Sequence, residues 1–108
     1  MKVKIKEDRL VIIKRSGVQF IFINEIMCIE RFNQKTIISS VNEEIIIRTS
    51  LKELEYLLPS FLKRVHRSFI INVDKILEIK RINENTFEAL LPGDNQALIT
   101  KGIINYII

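Results

Sequence analysis

The chain has 108 residues, with 17 Lys and Arg against 13 Asp and Glu, a formal net charge of +4, one cysteine and one histidine. That length implies a single domain over 1–108, large enough to bury a real core and too short to split into two. One cysteine excludes an intramolecular disulfide, one Cys and one His cannot build a four-ligand metal site, and no secretory signal or long uncharged apolar run stands at either end, so a reducing, cytoplasmic setting without membrane insertion is expected.

Ile is the commonest residue and Ala is nearly absent, which favours strands, because β-branched side chains lose χ1 freedom in helices. Val3 and Ile5 alternate with Lys2, Lys4 and Lys6, as in an edge strand with one wet face. Leu10 to Arg15 and Val18 to Ile23 read as a hairpin turning at Ser16-Gly17. In its second strand Val18, Phe20 and Phe22 share one face and Ile21 and Ile23 the other, so cover on both sides is expected. Glu25 to Arg31 and Thr36 to Ser40 are two further strands joined by the polar connection Asn33-Gln34-Lys35. After the turn Val41-Asn42-Glu43 comes a strand over Glu44 to Arg48.

Ser50 and Glu53 have the spacing of a capping box, and Leu51, Leu54, Leu57 and Leu58 form one apolar helical face that Pro59 ends. One short helix near residues 50–58 is therefore expected. Beyond a basic segment, Ile76 to Lys80 alternates again, Asn83-Glu84-Asn85 turns, and Thr86 to Leu91 returns as a strand. Pro92-Gly93-Asp94-Asn95 makes a turn before a last strand over Ala97 to Thr100. The tail from Gly102 to Ile108 is strongly apolar, either a closing helix or strand against the body or a cut end that meets something else.

Little here points to catalysis or to a cofactor. The three glycines are isolated, so there is no phosphate-cradling loop, and Cys28 sits among Ile26, Met27 and Ile29 as a small core residue. Phe20, Phe22, Phe61 and Phe69 read as core packing rather than as a stacking platform for single strands. Residues 60 to 81 carry six Lys/Arg against Asp74 and Glu78, a net +4 equal to that of the whole chain. Local positive charge of this kind, with a pI near 9.4, is suited to a phosphate backbone.

From the capping box through that basic run, the residues Ser50, Leu51, Leu54, Pro59, Phe61, Arg64, His66, Arg67, Ser68, Asn72 and Ile76 occur in an order that resembles the LytTR domain, the DNA-binding effector of many bacterial response regulators. Upstream, Phe22, Glu25, Ile26, Ile29 and Glu30 resemble the family's opening strands. The resemblance covers nearly the whole chain. It implies an elongated, mainly β fold of about ten short strands in stacked sheets, and loops rather than a recognition helix presented to successive grooves of double-stranded DNA. It further implies transcriptional regulation, a homodimer on direct repeats, and an upstream receiver domain answering to a sensor kinase.

Three loops are then expected along one DNA-facing edge. The first is Arg31, Asn33, Gln34, Lys35 and Thr36, whose amides suit an adenine edge and whose cations suit guanine or phosphate, although an ordinary solvated turn has the same composition. The second centres on His66, Arg67, Ser68 and Asn72. Arg67 is expected to reach DNA, His66 to bond either a phosphate or its own loop, and Ser68 and Asn72 to hold the backbone. Lys63 and Arg64 are either phosphate contacts or the wet face of a strand. The third loop departs from the family's Ser-Arg-basic pattern: Lys101 keeps a charge without the bidentate grip of Arg, and Gly102 has no side chain. A competing expectation is a LytTR-like protein-interaction module that modulates another regulator through the apolar tail, with weak or no specific DNA binding.

Overall fold

The computed structural model describes residues 2–108. Among these, eleven strands form three antiparallel sheets, in agreement with a mainly β chain of stacked sheets. The first sheet, in the order β1-β2-β3, holds β1 (Lys2–Lys6), β2 (Arg9–Lys14) and β3 (Gly17–Phe22). A 3-10 turn at Ile23–Glu25 leads into the central sheet. That sheet runs β6-β5-β4-β8-β7, from β4 (Cys28–Phe32), β5 (Lys35–Ser39), β6 (Glu44–Ile47), β7 (Leu62–His66) and β8 (Phe69–Asn72). The third sheet contains β9 (Glu78–Arg81), β10 (Thr86–Leu91) and β11 (Asn95–Thr100), with β10 in the middle. Helix α1 (Leu51–Leu57) follows β6 and helix α2 (Lys101–Ile104) follows β11.

Stacking three sheets requires that the central one be apolar on both faces, and its strands are. One face, with Ile29, Ile38, Ile47 and Ile70, packs against Leu10, Ile12 and Ile21 of the first sheet and Leu51 and Leu54 of α1. The opposite face, with Cys28, Phe69 and Ile71, packs against Ala89, Leu91, Ala97 and Ile99 of the third sheet. The result is elongated, 44 × 24 × 23 Å along its principal axes.

Helix α1 begins with the first arm of the capping box, the Glu53 N–H donating to Ser50 Oγ at 3.2 Å. The Ser50 hydroxyl in turn lies 3.4 Å from Glu53 Oε1. Leu51 and Leu54 are buried and Leu58, the last capping position before Pro59, is buried too.

Three expectations change. The outer face of β3 is not covered: Val18, Phe20 and Phe22 are 54%, 51% and 48% exposed, because only the inner face of the first sheet meets the core. Arg9 lies across two of these rings, its Cζ 4.8 Å from the centre of Phe20 and 6.0 Å from that of Phe22. The stretch 25–31 is not one strand, since its first residues finish the 3-10 turn that carries the chain between sheets. Among the described residues there are two helices rather than one: the apolar tail closes as α2, with Ile103, Ile104 and Ile107 packed on the second core.

Candidate nucleic-acid interface

Strand register decides which loops meet. In the β4–β5 hairpin Phe32 pairs with Lys35, leaving Asn33 and Gln34 as a two-residue turn. Their φ values of 49° and 64° are both left-handed, the geometry of a type I′ hairpin turn. Because Glu30 of β4 pairs with Phe69 of β8, the β7–β8 turn at Arg67 and Ser68 emerges at this same end. The Arg31 N–H donates to the Ser68 carbonyl at 2.9 Å and ties the two tips together. In the third sheet Thr86 pairs with Thr100, and Thr100 and Ile103 border a shallow groove with Arg64, Val65, His66 and Arg67. Lys101, whose N–H donates to the Asn85 carbonyl at 3.1 Å, stands beside them. The three loops thus reach one edge.

On that edge the expected residues divide by exposure. Asn33, Gln34, Lys35, Arg67 and Lys101 are exposed. Thr36 and Asn72 are buried, at 0% and 1% exposure, and have no surface to offer a ligand. The Thr36 hydroxyl donates to the Thr49 carbonyl and accepts from Arg31 Nη1 at 2.8 Å, while the same nitrogen donates to the Arg48 carbonyl at 3.0 Å. Arg31 and Thr36 therefore pin the first hairpin to the segment after β6. Asn72 holds the far end of the sheet: its Nδ2 donates to the Ile26 carbonyl and its Oδ1 accepts from the Asp74 N–H, each at 3.1 Å.

Arg64 is committed to the second loop. Its Nη2 donates to the Arg67 carbonyl at 2.6 Å, its Nε to the His66 carbonyl at 3.1 Å, and its Nη1 pairs with Glu55 of α1 at 3.4 Å. The fork shape of guanidinium permits all three together, whereas a Lys ammonium has no such spread. Lys63 places its Nζ 5.6 Å from the centre of the Tyr106 ring, which joins β7 to the tail.

His66 has both of its expected roles within reach. Its Nδ1 accepts from the Ser68 N–H at 3.0 Å, so in the neutral ring the proton sits on Nε2, leaving that nitrogen a donor. Burial, followed by the charges of Arg67 and Arg64, lowers its pKa below the ordinary value. The neutral, loop-ordering form is thereby favoured. Burial also pushes the Cys28 thiol up to about 11, with the Glu30 charge adding to the effect, which keeps it from acting as a thiolate near neutral pH.

Two further exposed cations stand on this edge, Arg48 outside the basic segment and Arg81 as its last residue. Arg48 follows Ile47, the partner of Thr36, and so stands beside Lys35; Arg81 pairs with Phe87 at the end of β9, near Thr100. Arg48 ends the stretch Glu44 to Arg48 and Arg81 ends β9, and only the register between distant strands places them with Arg67. No helix among the described residues is long and apolar enough to cross a membrane.

The chain matches the LytTr DNA-binding domain family over residues 16–106. It is similar to a solved structure, the LytTr DNA-binding domain of a methyl-accepting/DNA response regulator from Bacillus cereus, at 25% identity and a TM-score of 0.78, with 94% of each chain covered. A comparison with curated protein sequences finds no match.

Proposed function

This chain belongs to the LytTR DNA-binding domain family, and from that premise we propose that it binds duplex DNA at specific sequences to regulate transcription. It serves as the single-domain effector of a two-component response regulator, downstream of a receiver and a sensor kinase, or as a stand-alone regulator in the cytoplasm; it is not an enzyme. The family match carries the reading, and the gathering of exposed polar and cationic side chains on one edge supports it.

In this reading Asn33, Gln34 and Lys35 meet base edges from the tip of a rigid hairpin. Arg67 enters a groove, His66 donates from Nε2 to a phosphate, and Lys101 adds charge. Arg31, Thr36, Arg64, Ser68 and Asn72 are positioning residues that fix the loops. Lys63 holds the tail. Two copies on a direct repeat would give the affinity that one small interface lacks.

The test is a titration of the protein against a duplex selected from a random pool and against a scrambled version of it, at several salt concentrations. Specific binding should exceed nonspecific binding by roughly three orders of magnitude or more. Arg67→Ala should weaken specific binding by about 1–3 kcal/mol if its guanidinium reads bases. Equal affinity for the two duplexes would refute sequence-specific regulation.

One observation favours a second reading, the protein-interaction module. The uncovered face of β3, with Val18, Phe20 and Phe22 bordered by Lys4, Lys6 and Arg9 of the neighbouring strands, is a contiguous apolar patch of the kind that marks association surfaces. The tail is a weaker source of contact, since three of its isoleucines are packed inside. Stable capture of another regulator by the wild type, lost in Phe20→Ser, with no preference between duplexes, would select this reading.

A further inference from the structure

We propose that Phe32 is a specificity determinant that reads the 5-methyl group of thymine in the major groove, an inference that rests on the DNA-binding reading above. Phe32 is the last residue of β4, 59% exposed, and its cross-strand partner is Lys35. The pair flanks the turn, so the aromatic ring and the ammonium stand together at the tip of the hairpin.

A lone exposed apolar side chain needs no functional account in general. This one differs in its setting. The adjoining turn is of a type that strongly prefers Gly in its second position, yet it carries Gln34 at a φ of 64°. A side chain kept at that conformational cost is a sign that the tip is shaped for contact. Asn33, Gln34 and Lys35 supply donors, acceptors and charge, while Phe32 supplies none of these.

The shape of the tip selects the groove. A two-stranded ribbon enters the major groove, about 12 Å wide, but not the minor groove, about 6 Å wide. On the major-groove edges of the four bases the distinctive apolar group is the C5-methyl of thymine. A phenyl ring carried in beside Lys35 has no hydrogen bond to make and no phosphate to pair with, so a methyl group is its complement. The hairpin then reads two kinds of feature side by side, polar edges through the amides and Lys35, and a methyl group through Phe32.

Selection from a random duplex pool should yield sites with thymine fixed at one or two positions. Replacing those thymines with deoxyuridine removes the methyl group and nothing else. Wild-type affinity should fall roughly fourfold per methyl, the worth of one buried carbon, while Phe32→Ala should bind both duplexes alike and about as weakly as wild type binds the deoxyuridine form. Phe32→Leu, which keeps an apolar side chain, should retain sensitivity to the methyl group and serves if the alanine variant folds poorly.

Selected sites without a fixed thymine, indifference of the wild type to deoxyuridine, or undiminished sensitivity in Phe32→Ala would each overturn the assignment. If the wild type selects no duplex at all, sequence-specific binding itself fails, which is a separate result and removes the assignment with it.

Discussion

Gln34 sets, at the scale of one residue, the proposed contact surface against the fold that carries it. Its φ of 64° belongs to the left-handed region, which is disfavoured by about 1–2 kcal/mol for residues with a Cβ. Gln34→Gly should therefore raise the unfolding free energy by up to about 1 kcal/mol, read from a urea midpoint, while lowering the preference for the selected duplex over the scrambled one. A rise in both would remove Gln34 from the contact. His66 makes a prediction in pH. Its folded value lies below the ordinary 6.5, so as pH falls the unfolded chain takes the proton first and the folded state loses ground. The stabilisation is complete above 6.5 and declines as pH falls through the folded value. Protonation also places a hydrogen on Nδ1, which then cannot accept from Ser68. Urea midpoints measured between pH 7.5 and pH 5 should show this decline in the wild type and a shallower one in His66→Gln; matching slopes would mean the ring's titration has no part in it.

At the scale of elements, the ends of the sheets opposite the contact edge are stapled by the β10–β11 turn. Asn95 Nδ2 donates to the Ser40 carbonyl at 3.1 Å, and Gly93 lies so close to the β5–β6 turn that an added Cβ would sit 2.7 Å from Val41 Cα and 2.8 Å from its carbonyl oxygen. The φ of Gly93 is also left-handed, at 80°. Gly93→Ala should lose at least about 1–2 kcal/mol from the backbone conformation alone, with a further loss as the two turns separate. Gly102→Ala is the control: it lies in α2 with open space around it, and should be neutral or stabilising by up to about 1 kcal/mol. Thermal unfolding of the pair decides, and equal melting temperatures would remove the staple. These elements also mark how far patterns in the sequence reach. Thr86–Leu91 forms its strand with the bounds its alternation predicts, and the Ser50–Glu53 spacing locates α1, because both depend on neighbours a few residues away. The fate of Phe20 and Phe22 depended on which sheet would lie over them, and alternation of side chains carries no information about that. The tail was undecided for the same reason, since packing on a distant sheet chooses its conformation.

For the whole molecule, the charged run that stands out in the sequence is not the charged surface of the fold. Of the six cations between residues 60 and 81, Lys63 faces Tyr106, Arg64 clamps a loop, Lys75 lies by Ser40 and Pro92 at the far end, and Lys80 stands across from Glu88 of β10. Arg67 and Arg81 reach the edge where the three loops meet, and there strand pairing adds Lys35, Arg48 and Lys101 from other parts of the chain. The order of motif residues named three loops that the fold brings to one edge, but register was needed to assemble the charge there. A measurable quantity follows from that assembly. Each phosphate neutralised contributes about −0.9 to the slope of log affinity against log salt, so five cations would give at most about −4.5 for one copy and about −9 for two copies on a direct repeat, and less where Lys35 and Arg67 meet bases instead of phosphates. Fluorescence anisotropy titrations between about 50 and 200 mM salt span the range in which such slopes are large. Arg48→Ala should reduce the slope by about 1 per copy and leave sequence preference intact, as expected of a phosphate contact. An unchanged slope would detach Arg48 from the interface. A slope well beyond about −4.5 at one copy per duplex would require cations from outside this edge, and the lysines of β1, which border the uncovered face of the first sheet, would be the next to substitute.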